Sequence, residues 1–350
     1  EELANELSNY IHDRVIVTGI APSDTLRNVI DESVSASERV AYVNIEILQH
    51  VSAKPDLCAL SVASHSLQGE AEYFLYQSLR ATTPSAIQML CSCLFALPRV
   101  HPFVRSLALI DPHGTGELTR WANIACVLRH LPNLESLTLT GFKDKATAWI
   151  LSSCPFSLRE LACEFELDSA FLSFLWTQRE LHSLSWTHGY TNDVALPHFP
   201  ADHHLMPSLR VLSVNVPGPV LKMMAGRPLT HVWLNGPFTL DEEQIVCTAD
   251  NDVFTPHLCS LRICFISSAF AGQDTEVVEA ISAFRHLELL ATWSVISSDT
   301  AHALAQACPT LRLVACLHYS YYHEYVLLPV NPMGVPRPVH DPEFDLWKST

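Results

Sequence analysis

The chain has 350 residues, 48% hydrophobic and 17% charged, a balance that excludes global disorder and predicts a large buried core. Its 21 Lys and Arg against 37 Asp and Glu give a net charge of −16, which argues against binding to a nucleic-acid backbone, and no run of Lys or Arg offsets it. Such a length holds about two domains of ~150 residues or one elongated repeat array.

The sequence opens on Glu1 rather than Met, as a trimmed or processed chain does, and shows no signal-peptide pattern. Within residues 1–41, "ELANELSNYIH" predicts a helix through Leu3, Leu7 and Ile11. "VIVTGIAPSD" predicts a short strand and turn, and Ser23 starts a second helix. Residues 42–80 contain "IEILQHVSAKPDLCALSVASHSLQGEAEYFLYQSL", Ile45 to Leu79, which reads as a set of short amphipathic helices. Residues 81–103 carry no charge between Arg80 and Arg99, but the apolar part, "AIQMLCSCLFAL", has the ~10–14-residue length of a core helix rather than a membrane span. We expect no membrane contact there, only a linking helix that caps the N-terminal end of a repeat array.

From residue 104 to 328 a pattern of the form LxxLxL recurs. Its copies are "VRSLAL" at Val104, "LESLTL" at Leu134, "LRELAC" at Leu158, "LHSLSW" at Leu181, "LRVLSV" at Leu209, "LTHVWL" at Leu229, "LCSLRI" at Leu258, "LELLAT" at Leu287 and "LRLVAC" at Leu311. They lie 20 to 30 residues apart, close to the ~20–29-residue period of strand–helix arrays. Positions four and six alternate with open positions, as a half-buried strand requires. The intervening segments read as helices: Leu118, Trp121, Ile124, Leu128 and Leu131 fall at three- and four-residue steps, as do Val277, Ile281 and Phe284. "SSDTAHALAQACP" starts at a cap, Ser298 or Asp299, turns Ala301, Leu304, Ala305 and Cys308 inward, and stops before Pro309. The stretches Thr187–Pro207 and Asn235–His257 are too long for linkers and are expected to loop out. Residues 329–350 are a proline-rich tail, expected to lie extended over the last repeat.

The 11 cysteines are scattered among apolar neighbours with no CxxC pair, which reads as reduced thiols in a cytoplasmic or nuclear protein.

"SSCPFSLREL" and "QACPTLRLV" resemble the cysteine-containing class of leucine-rich repeats. The resemblance implies an α/β solenoid of right-handed strand–helix repeats with a parallel sheet on its concave face. The 42–80 segment resembles the F-box of many fungal proteins through Glu46, Ile47 and Leu48, then Leu57, Leu60, Ser61, Ala63, Ser64 and Leu67, then Ala71, Glu72, Leu75, Tyr76, Ser78 and Leu79. It departs at the family's opening Leu-Pro pair, which falls on Val43 and Asn44. The resemblance implies a small helical domain that contacts a Skp-type adaptor of a cullin ubiquitin ligase through Ile45, Ile47, Leu48, Val51, Leu57 and Leu60. The function it implies is substrate recognition in an SCF-type ligase. The alternative is a repeat scaffold whose F-box-like segment only caps the array and has no ubiquitin role.

No catalytic residues and no cofactor are expected. "HGTGE" at His113 lacks the third glycine of a dinucleotide site, and no GKS/GKT, GxSxG or HExxH occurs. His198, Asp202, His203 and His204 have ligand chemistry but fall in an expected loop without the usual ligand spacing. His323 and Glu324 in "HYSYYHEY" read as a strand packed on the tail. A protein partner is expected on the open face of the strands. The positions flanking the buried leucines that best suit it are Glu160, Glu164, Asn215, His231, Trp233, Asn235, Arg262 and Trp293, with Trp233 exposed as an anchor.

Overall fold

A computed structural model describes residues 48, 54–63, 65–111, 118–141, 148–166, 168–187, 206–214, 227–238, 260–265, 278, 286–292, 298–317, 325–329 and 337–339. The chain divides into two compact units, residues 1–76 and 77–350.

The first unit holds α1 (Lys54–Ala63) and α2 (His65–Gln77), which runs to the boundary. Leu48, Leu57 and Ala71 form its buried core, with Leu60, Phe74 and Leu75 packed against them. The expected helical end at Leu79 is corrected: the helix stops at Gln77, and Ser78–Ala81 is strand β1. The reason is the alternation of Ser78 and Arg80, exposed, with Leu79 and Ala81, buried, which suits a pleat rather than a helix.

The second unit is α/β. Among the described residues, twelve strands form one sheet whose spatial order is the chain order. After β1 come β2 (Ser106–Ile110), β3 (Ser136–Thr140), β4 (Glu160–Cys163), β5 (Ser183–Trp186) and β6 (Val211–Val214). Then follow β7 (His231–Phe238), β8 (Ser260–Phe265), β9 (Leu289–Thr292) and β10 (Leu313–Leu317). Each of the nine sequence copies is one of the strands β2 to β10, and β1 to β10 are parallel. β11 (Tyr325–Pro329) and β12 (Arg337–Val339) add antiparallel strands at the far edge. The tail segment Arg337–Val339 is thus extended, and it is hydrogen-bonded into the sheet.

The helices follow from capping and spacing. α3 (Pro84–Ala96) begins where the Thr83 hydroxyl accepts the Ala86 N–H, with proline in the first turn, and buries Ile87, Cys91 and Leu94. It is the helix between β1 and β2 rather than a linker ahead of the first strand. α4 (Leu118–Leu128) buries Trp121, Ile124 and Leu128 as predicted. α5 (Ser169–Thr177) is capped by Asp168, whose carboxylate accepts the Phe171 N–H at 2.7 Å. α6 (Ser298–Ala307) buries Leu304 and ends before buried Cys308. Of the expected 277–284 helix, only Val278 is described, and it is helical. No helix among the described residues is long and apolar enough to cross a membrane.

The core lies on one face of the sheet. The fourth position of the copies is buried at Leu107, Leu137, Leu161, Leu184, Leu212, Val232, Leu290 and Val314. So is the first position, at Val104, Leu134, Leu158, Leu181, Leu209, Leu229, Leu287 and Leu311. Register places the fourth-position side chains of β2 to β7 side by side. Under β4 and β5, Phe165, Phe171 and Trp186 form an aromatic cluster, with the indole N–H donating to the Phe165 carbonyl at 2.7 Å.

Candidate functional site

The opposite face of β2 to β6 is the candidate site. Its positions alternate with the buried ones and are half-open: Ser106, Ala108 and Ile110, then Ser136, Thr138 and Thr140, then Ser183 and Ser185, then Val211 and Ser213. Small hydroxyl-bearing side chains there leave the backbone approachable. Glu160 is exposed on β4 and accepts the Ser136 hydroxyl at 3.0 Å; Glu164 is half-buried just beyond the strand.

The register brings several predicted residues together. Glu160 pairs with Ser183, which pairs with Val211, which pairs with His231. Trp233 lies directly between Ser213 and Arg262. The expectation of an exposed Trp233 is nevertheless corrected: Trp233 is 3% exposed and His231 8%, so both belong to the interior. Leu289, at another open position of the pattern, is 0% exposed. The physical reason is composition: in "HVWL" and "LELLA" the open positions are themselves bulky or apolar, and strands of that kind are buried on both faces. Asn235 lies within β7 although its stretch was expected to loop out; the β7–β8 register shifts between Leu234 and Phe238, where Gly236 and Pro237 fall. The backbones of Asn235 and Arg262 are in the sheet, while Asn215, Trp293 and the histidines at 198, 203 and 204 lie outside the described residues.

Three of the residues expected to contact an adaptor lie in the core of the first unit. Leu48 is 1% exposed and Leu57 4%, and Leu60 packs against them. These side chains hold the first unit together and present little surface. Ile45, Ile47 and Val51 lie outside the described residues. The open side of α1 instead carries Cys58, Ala59 and Val62, the last 88% exposed.

Four thiols are shifted by burial. Desolvation pushes Cys91 and Cys154 up to about 11 and Cys163 up to about 12, and raises Cys308. The Arg129 charge partly opposes the shift at Cys154. At Cys163 a hydrogen bond from the Phe165 backbone opposes it and Glu164 adds to it. All four are protonated at neutral pH and therefore poor nucleophiles. Among the described residues, no group of three or more His, Cys, Asp or Glu is placed to hold a metal ion.

Sequence reasoning missed the second position of each copy. It forms a row at the start of the strands: Arg105, Glu135, Arg159, His182 and Arg210. Each carbonyl of this row accepts two successive N–H groups at the start of the next strand. That of Arg159 binds His182 and Ser183 at 2.8 and 3.0 Å, and that of His182 binds Arg210 and Val211 at 2.9 Å. Glu135 bridges Arg105 at 2.6 Å and Arg159 at 3.5 Å. Aligning the nine copies by their second residue would have found the row; scanning for consecutive Lys and Arg could not.

No protein-family model matches the chain. Among curated proteins, a protein named monoterpene synthase 25 from Postia placenta is 62% identical over 40 residues, 11% of this chain. The matching piece spans 12% of that protein's length.

Proposed function

We propose that the chain is a non-enzymatic substrate-recognition subunit of an SCF-type ubiquitin ligase, built as a leucine-rich-repeat solenoid behind an F-box-like helical unit. The observation that carries this reading is the sheet itself. Nine copies of one motif lie side by side in chain order, with one face packed and, from β2 to β6, the other lined by half-open hydroxyls. Such a stack offers one continuous surface to a partner protein. The separate helical unit, with its own core at Leu48, Leu57 and Ala71, supports a second attachment to a Skp-type adaptor. The open residues Cys58, Ala59 and Val62 on α1 are the surface it offers. The short match to a terpene synthase supports no enzymatic reading, since it spans 12% of that protein.

The alternative, a repeat scaffold without a ubiquitin role, is favoured by Val43 and Asn44 in place of the family's Leu-Pro pair. Size-exclusion chromatography of the purified chain with a Skp-type adaptor separates the two. Co-elution that is lost on changing Ala59 and Val62 together to Glu supports the ligase subunit. Separate elution of the native chain leaves the scaffold.

A further inference from the structure

The row at the start of the strands carries a run of three basic residue types, Arg159, His182 and Arg210, at the surface. We propose that Arg159, His182 and Arg210 form a docking ledge for an acidic segment of a protein partner. The inference deepens the reading of the open sheet face as a partner surface and rests on it.

The geometry is fixed by the backbone. The paired hydrogen bonds from Arg159 to His182 and Ser183, and from His182 to Arg210 and Val211, lock the three residues one strand apart each. At ~4.8 Å per strand, the Arg159 and Arg210 backbones lie ~10 Å from each other. The Arg159 side chain is 60% exposed, and Arg210 and His182 are exposed.

Charge makes the row unusual. In a chain with 37 acids and 21 Lys and Arg, three consecutive copies place a basic residue type at the same position. Among the described residues, two of the neighbouring acids are engaged. Glu135 is held by Arg105 at 2.6 Å and reaches Arg159 only at 3.5 Å, while Glu160 accepts the Ser136 hydroxyl. The Glu180 backbone carbonyl holds the His182 ring in place, a contact that does not involve the Glu180 carboxylate. Solvated surface arginines are common and contribute little to stability, but a regular ledge of them beside half-open Ser183, Ser185 and Ser213 suits recognition.

The spacing defines the occupant. In a polyproline-II segment, with three residues per turn and ~3.1 Å rise each, residues three apart share a face ~9 Å apart, so acids at the first and fourth positions of such a segment meet Arg159 and Arg210 together. A nucleic acid is a poorer occupant, because its continuous phosphate charge would meet Glu135 and Glu160 and the overall charge of −16.

The test is fluorescence polarisation with a labelled twelve-residue peptide carrying glutamate at every third position and serine between. The ledge requires saturable binding that weakens with salt. Changing Arg159 and Arg210 together to Ala should weaken it about fivefold or more, Lys at both positions should keep most of it, and Arg129→Ala should leave it unchanged. No binding to the native chain, equal binding to the double Ala variant, or displacement by oligothymidylate at lower concentration than by unlabelled peptide overturns the ledge. Circular dichroism confirms that the variants fold. Adaptor co-elution is read in parallel: if it persists while the peptide fails to bind, the ledge alone is lost and the ligase reading stands.

Discussion

The backbone carbonyl of Asp111 fills the place where a side chain on Gly141 would begin. Gly141 has φ +83°, and a Cβ built on it runs into the Asp111 carbonyl oxygen and carbon. The Asp111 N–H donates to the Thr140 carbonyl at 2.9 Å, which draws together the two strand ends after β2 and β3. Gly141→Ala should therefore lower stability by at least ~2 kcal/mol, from the left-handed backbone and the collision. Gly69, within α2, has nothing within 4 Å of its Cβ position, so Gly69→Ala should raise the stability of its unit by ~1 kcal/mol. Urea midpoints of the two variants check the opposite signs.

Gln178 is 1% exposed and accepts the Leu158 N–H at 2.7 Å, in place of a main-chain partner. Gln178→Leu leaves that N–H buried and unsatisfied and should cost ~1–3 kcal/mol. Asp168→Ala, which removes the cap of α5, should cost ~1 kcal/mol. Equilibrium unfolding of both variants measures these losses, and a neutral Gln178→Leu would show that the N–H finds another acceptor.

The buried thiols set an alkaline limit. In the unfolded chain they titrate near 9.0, and in the folded chain Cys91 and Cys154 at about 11 and Cys163 at about 12. Between those values the unfolded state has lost protons that the folded state keeps. Their contribution is full below about pH 9 and falls as pH rises through the folded values. Cys163→Ala should flatten the alkaline part of the stability profile, from about pH 9 upward. Iodoacetamide at about pH 8 should modify exposed Cys58 and Cys93 and spare Cys91, Cys163 and Cys308 in the native state.

Leu48 and Val62 separate packing from contact in the first unit. Leu48→Asp places a carboxylate at a site 1% exposed and should unfold the unit, whereas Val62→Glu, at a site 88% exposed, should change stability by less than ~0.5 kcal/mol. Far-ultraviolet circular dichroism with thermal melting distinguishes them. Adaptor binding tested on Leu48→Asp would therefore report folding, not contact.

Much of the sheet was legible because its leucines repeat at strand spacing: each copy from Val104 to Leu311 leads into a strand, and Trp121, Ile124 and Leu128 are buried as their steps predicted. Other features were not legible, for physical reasons. The strand at Ser78–Ala81 continues directly from a helix, and its four residues are too short a run to show the change of period. Trp233 was read as an anchor because its position opens outward in the regular copies, but bulky open positions favour burial on both faces. The Arg159–His182–Arg210 row is dispersed over three copies and becomes contiguous only when the strands align.

The in-register sheet can be read most directly from methyl contacts between leucines. Leu107, Leu137, Leu161, Leu184 and Leu212 are register partners in successive strands, ~4.8 Å apart along the sheet. In a methyl-labelled sample, nuclear Overhauser contacts should run from Leu107 to Leu137, Leu161, Leu184 and Leu212 in that order. Contacts that skip a strand, or that join Leu137 to fourth-position leucines outside its neighbouring copies, would contradict the stack on which the proposed partner face and the proposed ledge depend.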